Sequence, residues 1–156
     1  MRIHLVFVGK TAFADIGSGV DRYLHRLRHY SPVQTHYIKA EKITSAVGEQ
    51  FVRERESERI LKHTGRQGRL IVFDQRGREL DSLGLSKLLE KLIGSAVSDV
   101  WMIVGGPVGV SSQLLEAAHE VLSLSKMTFP HDLARLMVVE QLYRAFTIIK
   151  GEPYNK

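Results

Sequence analysis

The sequence predicts an α/β protein with a mostly parallel sheet and helices on both of its faces. Short apolar runs alternate along the chain with longer segments of helical spacing, which is the pattern of a sheet built from strand–helix–strand units. Two of the runs, 3–8 and 100–104, are almost wholly apolar, which is typical of strands buried on both faces. No repeat, low-complexity tract or linker divides the 156 residues, so we expect a single domain over 1–156.

The first three elements are a strand, a helix and a second strand. Residues 3–8 end at Gly9, which predicts a buried strand followed by a turn. A loop containing Gly17 and Gly19 then precedes a helix over 20–29, where apolar residues recur at helical spacing until the Ser31-Pro32 break. Residues 33–38 alternate with a period of two, which predicts the next strand.

The middle of the chain predicts a long charged helix, a strand and a leucine-rich helix. The charged helix covers 44–63, and its inner positions are predicted to be Val47, Phe51, Ile60 and Leu61. A turn bounded by Gly65 and Gly68 leads to a strand over 70–73. Leucines at helical spacing then define a helix over 82–93.

The last third predicts two strands and two helices. The apolar strand over 100–104 ends directly at Gly105. Ser111 or Ser112 is suited to cap a short helix over 111–118, and 121–124 can form one more short strand. Pro130 lies where a final helix begins, and that helix continues to about Ile149.

Composition limits the classes of function. Hydrophobic residues make up 44% and charged residues 25% of the chain, but no apolar run is long enough to cross a membrane. The N-terminal run lacks a small-residue cleavage site, so it is predicted to be a strand and not a signal peptide. The absence of cysteine excludes disulfides, a thiolate nucleophile and cysteine-based metal sites. We therefore expect a cytoplasmic protein without a membrane partner.

The formal charge of +5 and the pI of about 9.6 favour a polyanionic partner such as nucleic acid. The basic side chains cluster on the first predicted helix and shortly after it: Arg22, His25, Arg26, Arg28, His29, Lys39 and Lys42. A solvated helix face explains this cluster equally well. The two histidines have the spacing to share a metal ion, but the arginines around them disfavour a cation, so we expect no metal site.

Two glycine-containing segments resemble nucleotide-binding motifs only in part. Gly9-Lys10-Thr11 lacks the earlier glycine of a phosphate-binding loop, and a turn after the first strand explains it. The GGPVG segment at 105–109 is not a dinucleotide fingerprint, but it forms a bend at the carboxyl end of a strand, where α/β sheets bind ligands. The serine- and threonine-rich segment 122–130 suits a neutral ligand held by main-chain groups, or merely a strand and a helix cap.

Four side chains outside these loops are candidates for chemistry. Arg144 either pairs with Glu140 one turn earlier or faces a ligand cleft, where it could bind a phosphate or a base carbonyl. Tyr154 lies in the terminal tail and could stack on a base. Asp74 and Asp81 could act as a base or hold ribose hydroxyls, although loop or cap positions explain both.

Several of these segments together resemble the RlmH-type large-subunit rRNA methyltransferases, small members of the SPOUT (α/β-knot) methyltransferases. The segments are GGP at 105–107, LSLSKMTFPH at 122–131, LYRA at 142–145 and PY at 153–154. Their order and spacing are specific in combination, and the resemblance extends from Met1 to Lys156. It implies a C-terminal trefoil knot, a homodimer, and S-adenosylmethionine bound in the knot. The implied reaction is methylation of N3 of a pseudouridine in a hairpin of large-subunit (23S) rRNA, on assembled ribosomes.

The resemblance also implies site residues. The donor contacts fall on Phe73, Gly105, Leu124, Ser125, Lys126, Met127, Thr128 and Phe129. The catalytic candidates on the substrate side are His131, Arg144 and Tyr154, and Tyr154 could serve the partner subunit. One departure is Asn155, where members commonly carry histidine, so a role of that imidazole does not transfer to this chain.

Two other functions remain open. One is a knotted methyltransferase that acts on another RNA, such as tRNA. The other is a non-catalytic RNA-binding or ribosome-assembly factor, which Asn155 favours but the intact donor and substrate positions disfavour.

Overall fold

The computed structural model describes residues 1–44, 47–64, 68–95 and 97–154. Within these ranges the chain forms five strands and five helices in strict alternation. They are β1 (Arg2–Val8), α1 (Ala14–Leu27), β2 (Val33–Ile38), α2 (Glu49–Thr64), β3 (Arg69–Glu79), α3 (Ser82–Ile93), β4 (Asp99–Val104), α4 (Ser112–Ala117), β5 (Glu120–Ser123) and α5 (His131–Lys150).

The strands form one sheet in the order β2-β1-β4-β3-β5, and each described pair of neighbours is parallel. The predicted α/β class and parallel sheet are therefore confirmed. β4 occupies the centre, with β1 on one side and β3 on the other. Because all strands are parallel, their carboxyl ends meet at one edge of the sheet, where α/β proteins bind ligands.

Helices cover both faces of the sheet, as the apolar strands predicted. α1, α3 and α5 pack against the face that carries Ile3, Leu5 and Phe7 of β1, all fully buried. α2 and α4 cover the face that carries Val6 and Val8. Successive residues of a strand point to opposite faces, so a strand with two covered faces must be apolar at nearly every position.

The four crossovers share one handedness. The connections through α1 and α3 run in one direction along the sheet, and those through α2 and α4 run in the opposite direction on the opposite face. Opposite direction combined with opposite face gives the same hand, as expected for strand–helix–strand units. α5 follows the edge strand β5 and returns to pack between α1 and α3.

The predicted start of the first helix was wrong by six residues. α1 begins at Ala14, so Gly17 and Gly19 lie in the helix and not in a loop. Glycine disfavours a helix by about 1 kcal/mol relative to alanine, which is why the sequence suggested a loop. Tertiary packing explains the difference, because a Cβ on Gly19 would lie 3.1 Å from Leu136 Cδ1 of α5.

Three further predictions were corrected by the structure. α2 begins at Glu49 and not at 44, and Phe51, predicted to be internal, is 50% exposed. The same helix buries the polar Glu56 and Ser57, because these side chains contact neighbouring main chain. β3 continues to Glu79, six residues beyond its predicted end. The turn predicted at Gly65 lies outside the described residues.

Candidate functional site

A cleft of about 580 Å³ opens at the carboxyl edge of the sheet, a size within the usual range for small-molecule sites. Its walls come from three segments that follow or extend the neighbouring strands β3, β4 and β5. These segments are 73–76, 104–110 and 123–131. Glu49 and Arg53 of α2 and Ala134 of α5 complete the lining.

The segment after β4 forms the tight bend that the sequence predicted. Gly109 has φ +74°, and its N–H donates to the Gly106 carbonyl at 3.0 Å. A Cβ on Gly105 would lie 2.8 Å from Val110 Cγ1, which is closer than real Cβ contacts come. Since neither glycine projects a side chain, main-chain groups of this loop can approach a ligand directly.

α2 holds this loop from behind through three polar side chains. The Arg53 Nε–H donates to the Val108 carbonyl at 2.8 Å, and the Ser111 N–H donates to Ser57 Oγ at 2.9 Å. Between them, Glu56 is 2% exposed and lies against Gly106. We did not predict these residues, and the available signal was that 53, 56 and 57 share one helix face.

Burial raises the pKa of Glu56, because the carboxylate loses its hydration, while the Glu41 N–H and the charge of Arg59 act against that shift. One oxygen, Oε1, accepts the Glu41 N–H at 2.9 Å, whereas the buried Oε2 has no hydrogen-bond partner among the described residues. A Cβ on Gly106 would meet that second oxygen at 2.9 Å. A larger residue at 106 would thus have to displace the carboxyl beneath it.

The segment after β5 forms the second wall and is folded by its own serines. Ser123 Oγ donates to the Ser125 carbonyl at 2.8 Å, and the Met127 N–H donates to Ser125 Oγ at 3.0 Å. Met127 is 72% exposed at the mouth of the cleft. Lys126 does not line the cleft.

The third wall is an irregular part of β3, whose register with β5 shifts between Phe73 and Arg78. Arg76 donates to both oxygens of Asp74, at 2.7 and 2.9 Å, and to the Val110 carbonyl at 3.1 Å. Burial acts to raise the pKa of Asp74, but the hydrogen bonds and charge of Arg76 outweigh it and lower that pKa. Asp74 therefore orients the arginine that ties two walls together. Asp81 caps α3, accepting the Gly84 N–H at 2.6 Å.

The structure brings most of the expected donor contacts together. The expected residues that line the cleft are Phe73, Gly105, Leu124, Ser125, Met127, Thr128 and Phe129. Lys126 is the exception among the eight. The segments 104–110 and 123–129 supply main-chain groups, and Phe73 and Phe129 supply apolar surface.

His131 lies at the start of α5 and lines the cleft. Its Nε2 is 3.2 Å from Asp132 Oδ1, and Arg135 Nη1 is also 3.2 Å from that oxygen. Asp132 and Arg135 are 1% and 0% exposed. Burial lowers the pKa of His131 and Asp132 acts against that shift, so the ring is neutral at pH 7 and able to accept a proton.

Arg144 and Tyr154 lie together at the other end of α5 and do not line the cleft of their own chain. Arg144 follows His131 by thirteen residues, about 20 Å at the helical rise. Arg144 Nη2 and the Tyr154 hydroxyl both donate to Glu140 Oε1 at 2.6 Å. The guanidinium carbon lies 3.9 Å from the centre of the Tyr154 ring. Asn155 lies outside the described residues.

The part of the predicted basic cluster that lies on α1 is beside this group, whereas Lys39 and Lys42 follow β2 at the carboxyl edge of the sheet. Tyr23 of α1 places its hydroxyl 3.3 Å from that of Tyr154, and Arg26 lies over the Tyr143 ring at 5.6 Å. Arg22, His25, Arg28 and His29 remain exposed on α1 and the turn after it. Within the described ranges, metal-ligating side chains form no group of three or more, and no helix is long and apolar enough to span a membrane.

Comparison with known sequences identifies one family along the chain. The family model described as "Predicted SPOUT methyltransferase" matches residues 1–155. A "Ribosomal RNA large subunit methyltransferase H" of Syntrophobacter fumaroxidans is 57% identical over 157 residues, covering 100% of both chains. A protein of the same name from Halothermothrix orenii is 40% identical over 159 residues, again covering 100% of both.

Solved structures share the fold at low identity. A "probable methylase family protein" from Haemophilus influenzae Rd KW20 superimposes with a TM-score of 0.56 at 12% identity, covering 96% of this chain and 66% of that one. A "Probable Methyltransferase" from Bordetella pertussis Tohama I gives a TM-score of 0.59 at 9% identity, covering 93% and 94%. At such identities the likeness concerns the fold alone.

Proposed function

This chain belongs to the SPOUT methyltransferase family, and from that premise we propose that it methylates N3 of a pseudouridine in large-subunit (23S) rRNA with S-adenosylmethionine as donor. The proposal rests on relatives up to 57% identical over their whole length that are named as large-subunit rRNA methyltransferases. The basic charge of +5 supports an RNA substrate. The proposed setting is the cytoplasm, with the assembled ribosome as substrate.

The chemistry of the cleft fits this donor. Phe73 and Phe129 provide apolar surface for a nucleoside, and the loops 104–110 and 123–129 offer main-chain donors and acceptors. The absence of a side chain at Gly105 keeps the bend tight against Val110. When bound, the donor supplies a sulfonium methyl group that is already activated for transfer.

The protein must then hold the base in line with that methyl group and remove the N3 proton. We assign the removal of the N3 proton to His131. Its Nε2 faces Asp132, which leaves Nδ1 as the nitrogen that accepts the proton. Arg144 stabilises negative charge on the deprotonated imide or its phosphate, and Tyr154 positions the base. Phe73, Phe129 and the loops 104–110 and 123–129 would hold the donor so that its methyl group faces N3, and the donor's sulfur would keep the electron pair of the transferred methyl group.

The separation of these groups supports a homodimer. His131 and the Arg144–Tyr154 pair lie about 20 Å apart along one helix, so a site that uses both needs two chains. We propose that the partner's Arg144 and the partner's Tyr154 complete the cleft of each subunit. We also propose that 124–131 threads behind the loop near Gly105 as a trefoil knot, which the cleft shared by these two segments supports.

The first test is calorimetric titration of the purified protein with S-adenosylmethionine, with its solution mass measured alongside. We expect one donor per chain and a dimer mass. Ribosomes lacking the modification should then accept one methyl group, and tRNA should accept none. Methylation of tRNA instead would favour a related enzyme of different specificity. Strong salt-dependent RNA binding without transfer would favour an assembly factor.

A further inference from the structure

The loop between β1 and α1 has a construction that the methyl-donor cleft does not explain. Its residues, 9–13, lie at the carboxyl edge of the sheet but do not line the cleft. Three polar contacts nevertheless fix it. Gly9 N–H donates to the Ile38 carbonyl at 2.8 Å, Ala12 N–H donates to Asp132 Oδ2 at 2.7 Å, and Arg135 Nη1 donates to Thr11 Oγ1 at 3.2 Å.

The groups that hold the loop are costly to bury. Arg135 and Asp132 are 0% and 1% exposed, and Arg135 also donates to the carbonyl of Val8 at the end of β1. A buried ion pair contributes little net stability, because desolvation offsets the attraction between the charges. Its effect here is geometric, since it attaches the loop rigidly to the start of α5.

The fixed loop presents two side chains to solvent. Lys10 is exposed, and Phe13 is 60% exposed. Phe13 is the N-cap residue of α1 and makes no side-chain cap, at a position where Ser, Thr, Asp or Asn would bond a free helix N–H. An exposed aromatic at that position favours neither helix stability nor solubility, which indicates a role in binding.

The loop lies next to the substrate side of the cleft. The Asp132 carboxylate contacts the Ala12 N–H with one oxygen and is 3.2 Å from His131 Nε2 with the other. β1 and β4 are also neighbours, so the loop after β1 lies beside the loop 104–110. Phe13 and Lys10 are thus available to an RNA strand whose target base reaches His131.

We propose that this loop is an RNA-binding element, in which Phe13 stacks on an unpaired base beside the target nucleotide and Lys10 binds a phosphate. The assignment rests on the proposed rRNA substrate and extends it to a defined contact. A flat aromatic side chain stacks on any base, and an extended lysine reaches the backbone without reading sequence. Asp15 is the acidic neighbour of the loop, and it is exposed on the first turn of α1.

The test uses full-length dimers and ribosomes that lack the modification, and it measures ribosome affinity by cosedimentation and methyl transfer separately. Phe13→Ala should weaken affinity and raise KM about tenfold, leaving donor affinity unchanged, whereas Phe13→Trp should retain both. Phe51→Ala is the matched control, because Phe51 is 50% exposed on α2 and outside the cleft lining. Lys10→Ala should reduce the salt dependence of binding by about one phosphate contact. Lys87→Ala, at an exposed lysine of α3 outside the cleft lining, should leave the salt dependence unchanged.

Phe13→Ser separates binding from folding. A serine at the N-cap should raise the midpoint of thermal unfolding, while the loss of stacking should still raise KM. Unchanged KM and affinity in Phe13→Ala, or a changed solution mass, would overturn the inference and assign Phe13 to no RNA contact. Wild-type protein that neither binds nor methylates these ribosomes would instead overturn the proposed function, and the inference with it.

Discussion

At the scale of single residues, the shape of the cleft depends on three glycines in the loop after β4, where no side chain is present. Gly105 packs against Val110, and Gly109 adopts a left-handed conformation that L side chains rarely take. Gly106 is closely covered by the carboxyl of Glu56. A different physical reason favours glycine at each of these positions. The reason is a contact within the loop at Gly105, a contact with α2 at Gly106 and the backbone conformation at Gly109.

Gly105→Ala should weaken donor binding. The added methyl group would lie 2.8 Å from Val110 Cγ1 and 3.4 Å from the Gly109 carbonyl carbon, so the bend must open. We expect a loss of about 1–3 kcal/mol in donor affinity, the usual cost of overpacking. Calorimetric titration measures it.

Gly94→Ala is the matched control for that change. Its Cβ would have ordinary contacts of 3.5 Å or more, and its φ of −73° suits alanine. Equal donor affinity in the two variants would show that the bend at Gly105 does not depend on the missing side chain.

The residues of the site were predictable from sequence only where the chain is locally distinctive. The bend at Gly105 directly follows an apolar strand, so the sequence alone located it. The roles of Arg53 and Ser57 were not predictable, because each contacts a residue that is distant in the sequence. Arg53 is separated from Val108 by 55 positions and Ser57 from Ser111 by 54. Asp81 was recognised as a possible cap because cap chemistry is local.

At the scale of elements, α2 acts as the support of the cleft. Its buried Ser57 accepts the Ser111 N–H just before α4, while Arg53 holds Val108 on the same loop. The helix therefore holds the C-terminal half of the segment that carries the glycines, at Val108 and at the residue Ser111 that follows it. Because polar residues lie on its buried face, the pattern of apolar residues in the sequence does not identify which face of α2 is buried.

Ser57→Ala should destabilise the fold by about 1–3 kcal/mol, because the buried Ser111 N–H loses its acceptor. Donor affinity should fall as well, since the loop loses one of its two hydrogen bonds to side chains of α2. Chemical denaturation and calorimetry measure the two effects. Ser95→Ala, at an exposed serine after α3, is the control. A variant with full donor affinity would mean that Ser57 stabilises α4 without positioning the loop.

A cluster of histidine and tryptophan side chains joins β1, β2, β4 and α2 away from the cleft. The buried His4 contacts His36 at 3.0 Å and Asp99 at 2.9 Å, and stacks on Trp101 at a centroid distance of 4.0 Å. The His63 ring of α2 lies 4.8 Å from that of His36. Burial lowers the pKa of His36, and the nearby His63 and His4 lower it further.

This shift predicts a stability that depends on pH. Because the pKa of His36 is below 6.5 in the folded state, the unfolded chain binds more protons between those two pKa values. The contribution of neutral His36 to the free energy of unfolding is complete above about pH 6.5 and is lost as the pH falls through the folded-state pKa. His36→Gln should therefore reduce the drop in the free energy of unfolding between about pH 7.5 and pH 5. Identical pH profiles for His36→Gln and wild type would contradict this reasoning.

At the scale of the whole molecule, the proposed active site belongs to two chains. α5 carries His131 at its cleft end and Arg144 thirteen residues later, so each dimer would hold two composite sites. Arg144→Ala should abolish methyl transfer and leave donor affinity nearly intact. Loss of donor binding in this variant would contradict the assignment of Arg144 to the substrate.

Mixing two inactive variants tests the composite site directly. When the donor is kept far below the dissociation constant of the Gly105→Ala variant, dimers of Arg144→Ala chains should be inactive and dimers of Gly105→Ala chains nearly so. After subunit exchange, mixed dimers contain one site with both groups intact, so about a quarter of wild-type activity should return. Activity assays before and after exchange measure the recovery. No recovery, with exchange verified by mass, would place both groups in one chain's site.

The class of the fold was predictable from the sequence, but the arrangement of its strands was not. Apolar runs such as 3–8 identify buried parallel strands whatever their neighbours. The position of β4 between β1 and β3 depends on pairings between distant residues, such as Phe7 with Val104 and Phe73 with Val104. The start of α1 was wrong for a related reason, because only the packed α5 explains Gly19 inside that helix.

The central position of β4 also has a consequence for biosynthesis. β1 and β3 do not pair with each other in the described sheet, since both pair with β4, which begins at Asp99. While the chain is being synthesised, roughly its first two thirds can therefore form only separate fragments with open, apolar strand edges. Completion of the sheet must wait until β4 has left the exit tunnel, and the nascent chain needs protection from aggregation until then.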